Sequence, residues 1–374
     1  LFRSQRRQTR RPLSAAQVNT DIAGRPYQVR AIKAVGDALT GGSINGDGRV
    51  MLQVTAALEE RVRAGVEVRV LYDGTCTFYR LPYGYPKRME ALGIHCKMFA
   101  PLRPLVSTYY NNRDHRKIMV IDGQIAFTGG VNLADEYINK IVRFGYWKDS
   151  GVRLDGPGAA SLANIFLTFW KAKYPDEDLD AGCDLPAAVP VETDCLVQPF
   201  ADTPVDREAV AKNVYLELIN QAQKRLYICT PYLILDNDLL SCLRLAAKRG
   251  VDVRIYTPGV PDKPTIYQLT RSYFPHLLRA GVKIYSYTPG FLHAKTWLVD
   301  GRIAVVGSIN LDYRSLYLHF ECAALLYGCA ALADVGEFMM QLEKQSHLVE
   351  LKECRTSAPG LMVSALLRLL APLC

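Results

Sequence analysis

The sequence predicts a duplicated α/β fold, on three observations. HRKIMVIDGQIAFTGGVNL, starting at His115, returns as HAKTWLVDGRIAVVGSINL, starting at His293, with nine of nineteen positions identical and no gap. Four times a helical pattern stops at a glycine and a β-branched alternation begins: RAGVEVRVLY at Gly65, ALGIHCKMF at Gly93, KRGVDVRIYTP at Gly250 and RAGVKIYSY at Gly281. Glycine ends a helix because it takes the left-handed conformation cheaply, and alternation suits a half-buried strand. Two such junctions precede each histidine motif, so helices and strands alternate within each half. The motifs lie 178 residues apart, far beyond a solenoid period, so a whole domain is duplicated.

In chain order, residues 1–56 stand outside the repeat. Arg3, Arg6, Arg7, Arg10 and Arg11 open the chain; without them 40 basic residues face 37 acidic ones, a balance of +3 instead of +8. Such a terminus binds anionic lipid or nucleic acid, or is a solvated tail. The chain starts at Leu1, which reads as a fragment. Where the second half has a strand over residues 226–232, the first half has LTGGSINGDGR, a loop composition. Residues 49–55 offer a strand, but leave only about nine residues for a helix before Gly65, fewer than an average helix has. RPYQVRAIKAV and GRVMLQVTA faintly resemble the approach to the nucleotide site of helicase-type ATPases. The G-K-[ST] that holds phosphate is absent, so no ATP site is expected.

Residues 57–173 form the first half, closed by an amphipathic helix over residues 158–173 with Leu162, Ile165, Phe166, Phe169 and Trp170 on one face. Residues 174–205 are polar and proline-rich, a linker. The second half, residues 206–345, begins with a helix leading into the strand at Leu226. Residues 346–374 make an amphipathic tail, whose segment 361–370 suits either a membrane surface or core packing.

With 22% charged and 49% apolar residues in 374, the chain is neither disordered nor collagenous. No run of 18 apolar residues gives it a transmembrane helix. Its ten cysteines form no C-x2-C pair, and several, such as Cys229, lie in apolar runs. They read as small hydrophobes in a reducing compartment, without structural zinc.

Each motif reads as strand, turn, strand. His115 and Lys117, two apart, share a strand face, as do His293 and Lys295. A sheet face carrying both is costly unless it lines a site. An ammonium holds an anion while the imidazole attacks it or moves a proton. Asn132 and Asn310 donate amide hydrogen bonds to the same anion, with Ser308 beside them, and Gly129 and Gly130 allow close backbone approach. Two such sets brought together make one phosphate site with two imidazoles, one to attack phosphorus and one to protonate the leaving alcohol. No metal or other cofactor is needed. Asp122 and Asp300 belong to the motif and so join the catalytic set, although each precedes glycine in a D-G turn, where turn stabilisation reads better. His95, His276, His319 and His347 lack the frame and are read as structural.

His-x-Lys-x4-Asp-x6-Gly-[Gly/Ser]-x-Asn, present twice, resembles the signature of the phospholipase D superfamily. NNRDHRKIMVIDG, FTGGVNLADEYIN, TPGFLHAKTWLVDG, GSINLDYRSLYLHFE and the Pro231–Tyr232 strand resemble bacterial cardiolipin synthases. The likeness covers roughly residues 57–374. It implies a duplicated α/β/α sandwich whose halves are related by a pseudo-two-fold, with the active site between them. It implies a phosphohistidine on His115, with His293 as general acid and then base. A carboxylate after each motif, Asp149 and Glu321, orients its histidine. Lys117, Lys295, Asn132 and Asn310 become phosphate ligands. The implied reaction makes cardiolipin and glycerol from two phosphatidylglycerol molecules at the cytoplasmic side of a bacterial membrane. The implied partner is an anionic membrane surface, with no obligatory nucleic acid. Phospholipid or nucleic-acid hydrolysis at the same site is the alternative, and a non-catalytic binding protein the alternative of another class.

Overall fold

The computed structural model describes residues 49–74, 81, 84–100, 111–173, 195–354, 358–369 and 371–373. The N-terminal arginines, the ATPase-like segment, residues 174–194 of the expected linker, and Cys76, Cys183 and Cys374 lie outside the described residues.

The described chain opens with a helix, α1 (Arg49–Arg63), followed by β1 (Arg69–Asp73), α2 (Tyr85–Glu90) and β2 (His95–Phe99), the two strands pairing in parallel. Residues 49–55, which offered a strand, are the start of α1. The reason is periodicity: Val54, Ala57 and Arg61 recur on one buried face, and Leu58 and Val62 pack on the small core of Met89, Ile94 and Cys96. The first motif supplies β3 (Ile118–Ile121) and β4 (Ile125–Gly129), which form an antiparallel sheet with β5 (Gly151–Asp155). Helix α3 (Pro157–Lys173) closes this half and buries Leu162 and Trp170.

The second half adds β6 (Leu196–Asp202), α4 (Val210–Gln221), β7 (Arg225–Cys229), α5 (Asn237–Lys248), β8 (Asp252–Pro258), α6 (Pro264–Leu278) and β9 (Lys283–Tyr287). Then come β10 (Thr296–Val299), β11 (Ile303–Gly307), α7 (Tyr313–Tyr317), β12 (Glu321–Tyr327), α8 (Ala331–Lys344), β13 (Ser346–Leu348) and α9 (Ala358–Leu369). Eight strands form one sheet in the order β13-β9-β8-β7-β10-β11-β12-β6, with β7, β8 and β9 parallel. The linker expectation fails at its end: β6 is an edge strand paired along its length with β12. All four junction glycines take left-handed φ values, between 78° and 96°.

The two faces of the large sheet carry two cores. On one, Ile228, Ile255, Trp297 and Val305 meet Tyr215, Leu243 and Phe274 of α4–α6. On the other, Ala304, Val306 and Ala324 meet both α8, through Met339 and Leu342, and the first half, through Ala126, Leu154 and Leu162. The halves thus share a core, and the α/β/α layering is completed by the partner half. In the second half β7 separates β8 from β10. Among the described residues no strand stands between β1 and β3, the corresponding place; the end of β1 reaches the first motif through Asp73, which accepts from Asp114 N at 3.1 Å and pairs with Arg113 at 3.4 Å.

The cysteine reading is also corrected. Pairing of Leu196 with Tyr327 brings the start of β6 beside the end of β12, and there Cys195 and Cys329 form a disulfide, their Cα atoms 4.5 Å apart. A reducing compartment therefore no longer follows from cysteine usage. Spacing gave no hint, because the two lie 134 residues apart.

The packing of the second motif is testable at its glycine. A Cβ on Gly307 would stand 2.4 Å from the Ala323 Cβ and the Cys322 carbonyl oxygen, in the middle of the sheet. Gly307→Ala should therefore lower the unfolding free energy by about 1–3 kcal/mol, the usual cost of overpacking, read as an earlier denaturant midpoint.

Candidate active site

Both motifs enter the site through an extended segment just ahead of their hairpins. Each segment pairs in parallel with the other half, Asp114 with Phe320 and Lys148 with Leu292. His115 N donates to Phe320 O at 3.0 Å, and His293 N donates to Lys148 O at 2.7 Å. Phe320 and Lys148 immediately precede Glu321 and Asp149, so the exchange carries each carboxylate to the opposite histidine. Glu321 oxygens lie 2.8 and 3.0 Å from His115 Nδ1. Asp149 Oδ2 lies 2.7 Å from His293 Nδ1. The expectation that each carboxylate serves the histidine of its own motif is corrected, because strand pairing crosses the interface. An ionised carboxylate only accepts, so Nδ1 of each ring carries the proton and Nε2 is left for chemistry.

The site is buried and charged. Lys295 is fully buried, its Nζ 2.8 and 2.9 Å from Nδ1 and Nε2 of His293. Burial, then Lys295, pushes the His293 pKa down to about 4. Burial takes His115 down to about 3, against the pull of Glu321 and with help from Lys117. Burial also lowers Lys117, and lowers Lys295 to about 7. For Glu321, burial acts upward, but its electrostatic and hydrogen-bond coupling to His115 outweighs it and holds the carboxyl well below its usual range. Lys117 acts electrostatically on both His293 and Lys295, so the two motifs share one field. The resting site therefore holds two neutral imidazoles and the Glu321 carboxylate beside two lysines whose charge burial opposes.

The remaining predicted residues differ in placement. Ser308 donates to Glu321, and its oxygen accepts from Cys322 N at 3.1 Å. Its hydroxyl holds the carboxylate. At the matching Gly130 a Cβ would meet Asp149 Oδ1 at 2.1 Å, so the glycine leaves the room that this carboxylate fills. Asn132 Nδ2 donates to the Tyr137 hydroxyl at 2.6 Å. Asn310 is buried beside Asp312 with its Oδ1 unpartnered. Asp122 and Asp300, placed in the catalytic set by the motif, sit at the far ends of the hairpins with φ of 52°. Asp300 accepts from the backbone N–H groups of Gln223, Lys224 and Arg225 at 2.8–2.9 Å, which ties the turn to the start of β7. Turn geometry and this tether account for the aspartate; neither residue reaches the histidines.

One residue at the site was passed over as structural. His319 packs its ring 5.5 Å from that of His115, its Nδ1 3.6 Å from Glu321 Oε1, and both ring nitrogens are buried without a hydrogen-bond partner. Two positions before the other carboxylate stands Trp147, whose ring lies 5.3 Å from His293 at nearly the same tilt. The available signal was that offset, since residues two apart on a strand face the same way. Tyr137 and Phe291 complete an aromatic wall around His293. His293 is 7% exposed in its side chain against 24% for His115. Among the described residues, His115, His319 and Glu321 are the group whose side-chain atoms, within 4.8 Å of one another, suit a metal ion.

Lys295 predicts a pH dependence. Its ammonium is present below about pH 7, and a bound anion favours that charged form. Anion affinity should be full below this pH and fall about tenfold per unit above it, with proton uptake on binding. Calorimetric titration with dimethyl phosphate, a monoanion throughout, from about pH 6 to about pH 9 measures it. A flat profile would remove Lys295 as the charge that holds the anion.

Known proteins resemble the chain along most of its length. The family model described as cardiolipin synthase, PLD-like domain, matches residues 50–143 and 215–344. An uncharacterized protein of Streptococcus mutans is 48% identical over 332 residues, 87% of this chain and 71% of its own length. A cardiolipin synthase of Halalkalibacterium halodurans is 38% identical over 304 residues, 81% of this chain. The chain spans 60% of that relative. The crystal structure of phosphatidylserine synthase from Haemophilus influenzae superposes with a TM-score of 0.68 at 16% identity, covering 100% of this chain and 97% of that one, which shows the shared fold. With the motifs duplicated, their histidines and carboxylates exchanged across the interface, and the family model matching both halves, the chain belongs to the phospholipase D superfamily, in the family of the cardiolipin synthase PLD-like domain.

Proposed function

We propose that this chain is a phosphatidyltransferase that joins two phosphatidylglycerol molecules into cardiolipin and releases glycerol. The observation that carries the reading is the pair of neutral imidazoles, His293 buried and His115 half-buried, each held at Nδ1 by a carboxylate from the other half. His115, the more exposed ring, attacks phosphorus through Nε2. The P–O bond to the departing glycerol breaks, and His293 supplies the proton that glycerol takes away. A bound phosphodiester adds negative charge beside His293 and so favours the imidazolium that this step requires. The phosphatidyl group is then on His115, with Glu321 stabilising the charge on its ring. In the second step the terminal hydroxyl of another phosphatidylglycerol gives its proton to His293 and attacks phosphorus, breaking the P–N bond and restoring both rings. Lys117 and Lys295 stabilise the phosphoryl oxygens throughout. Donor and acceptor are membrane lipids, so the work is done at a bilayer surface; no described helix is long and apolar enough to cross a membrane.

The test is incubation with phosphatidylglycerol labelled in its headgroup and acyl chains, with cardiolipin and free glycerol as the expected products. Phosphatidic acid instead would make water the acceptor. His115→Ala should abolish turnover and covalent labelling. His293→Ala should lower turnover by about 10²–10⁴, the usual worth of general acid–base catalysis, while a substrate with a good leaving group still labels His115. Label on His293 alone would reverse the two roles.

A further inference from the structure

The two halves differ in length at one point beside the site. Seventeen positions separate Asn132 from Asp149, but eleven separate Asn310 from Glu321. The first half therefore carries six extra residues, in a loop with no counterpart across the pseudo-two-fold.

The base of this loop is firmly held. Asn139 donates to Trp147 O at 2.9 Å and accepts from Trp147 N at 2.6 Å. Tyr146 N donates to Pro289 O at 2.9 Å. At Gly145 a Cβ would meet that same oxygen at 2.4 Å, and φ is 72°, so only glycine passes there. Phe144 rests on Phe291. Trp147 and Phe291 are both rings of the wall around His293, so the loop stands at the rim of the site. Its outer side is apolar: Val142 is 76% exposed and Tyr146 52%, with Leu133 and Val131 exposed nearby. Arg143 stands among them, mostly exposed and only loosely paired with Glu136 at 3.7 Å.

We propose that this loop docks on the lipid bilayer, with Val142 and Tyr146 entering the headgroup region and Arg143 meeting anionic headgroups. Aliphatic, aromatic and arginine side chains held together at a rim are the composition of an interfacial anchor. A bilayer also fits the location. A protein seated on this rim would cover the approach to His293, whereas a bilayer seated there delivers a phosphodiester to it. The inference rests on the lipid-transfer reading for its choice of partner, and its test is independent of turnover.

Val142→Trp places a fluorophore at the tip. With phosphatidylglycerol vesicles the added indole should shift its emission to the blue and be quenched by brominated acyl chains; phosphatidylcholine vesicles should give a weaker response. Val142→Asp and Arg143→Glu should each weaken phosphatidylglycerol-vesicle binding about tenfold or more and lower turnover on vesicles in parallel. Turnover of a water-soluble phosphodiester should stay at the wild-type level. An unshifted indole in the Val142→Trp variant with vesicles bound, or vesicle binding indifferent to both charge changes, overturns the proposal. So does a change in sedimentation with Val142→Asp, which would make a second copy the occupant. Insertion of the added indole by a Val142→Trp variant, with no cardiolipin formed by the wild-type protein, would instead sink the proposed function and leave the docking loop standing.

Discussion

The rest of the site depends on one exchange of backbone pairing. The segments that carry His115 and His293 each bond to the strand entry that carries the other half's carboxylate. Two pairs of hydrogen bonds thus fix four catalytic-type side chains relative to one another: Glu321 opens β12, and His115, His293 and Asp149 lie on extended segments that these bonds hold. Neither half has a complete histidine–carboxylate pair of its own. The apolar contact of Ala126, Leu154 and Leu162 with Ala304, Val306 and Ala324 then has a chemical consequence, because it holds the exchange in register. Separation of the halves would take from Glu321 and from His293 the partner that each holds.

Burial is what tunes this site. Taking two lysines and two histidines out of water opposes their charges, which is why both rings are neutral at rest and Lys295 is held near 7. The carboxylates offset part of that cost. What they do not offset is the mutual repulsion of Lys117 and Lys295, which an anion between them would relieve. A site with this balance is poor at holding a neutral ligand and well suited to a phosphodiester.

Much of this was legible in the sequence, and the limits are physical. The four helix-ending glycines and the two D-G turns were readable because backbone conformation at those positions is decided locally. The duplicated His-x-Lys pattern was readable, although both pairs lie just ahead of their strands, because extended backbone has the period of two that sets which residues share a face. Crossed carboxylates were not, since pairing between residues 206 and 144 positions apart in the chain has no local signature. The same holds for the disulfide, which exists because β6 lies along β12. Residues 49–55 misled for another reason: a short apolar run suits either period until its neighbours decide. His319 lies outside the motif frame, and its signal is its distance of two residues from the Glu321 carboxylate.

The pseudo-two-fold is most instructive where it fails. Glu321 is kept in place by the Ser308 hydroxyl, while Asp149, one methylene shorter, comes so near its turn that the matching residue has no room for a Cβ. His115 faces the imidazole of His319; His293 faces the indole of Trp147. The first ring is thereby left more open and beside a second polar ring, and the second is enclosed by aromatic faces. A nucleophile needs access for the phosphorus centre, and a proton carrier needs protection from water so that its proton goes to the alcohol. The duplicated fold supplies two equal histidines, and the substitutions two residues ahead of each carboxylate make them unequal. The proposed two-step transfer requires that inequality, because one ring must bond to phosphorus while the other gives up a proton and regains it once in each cycle.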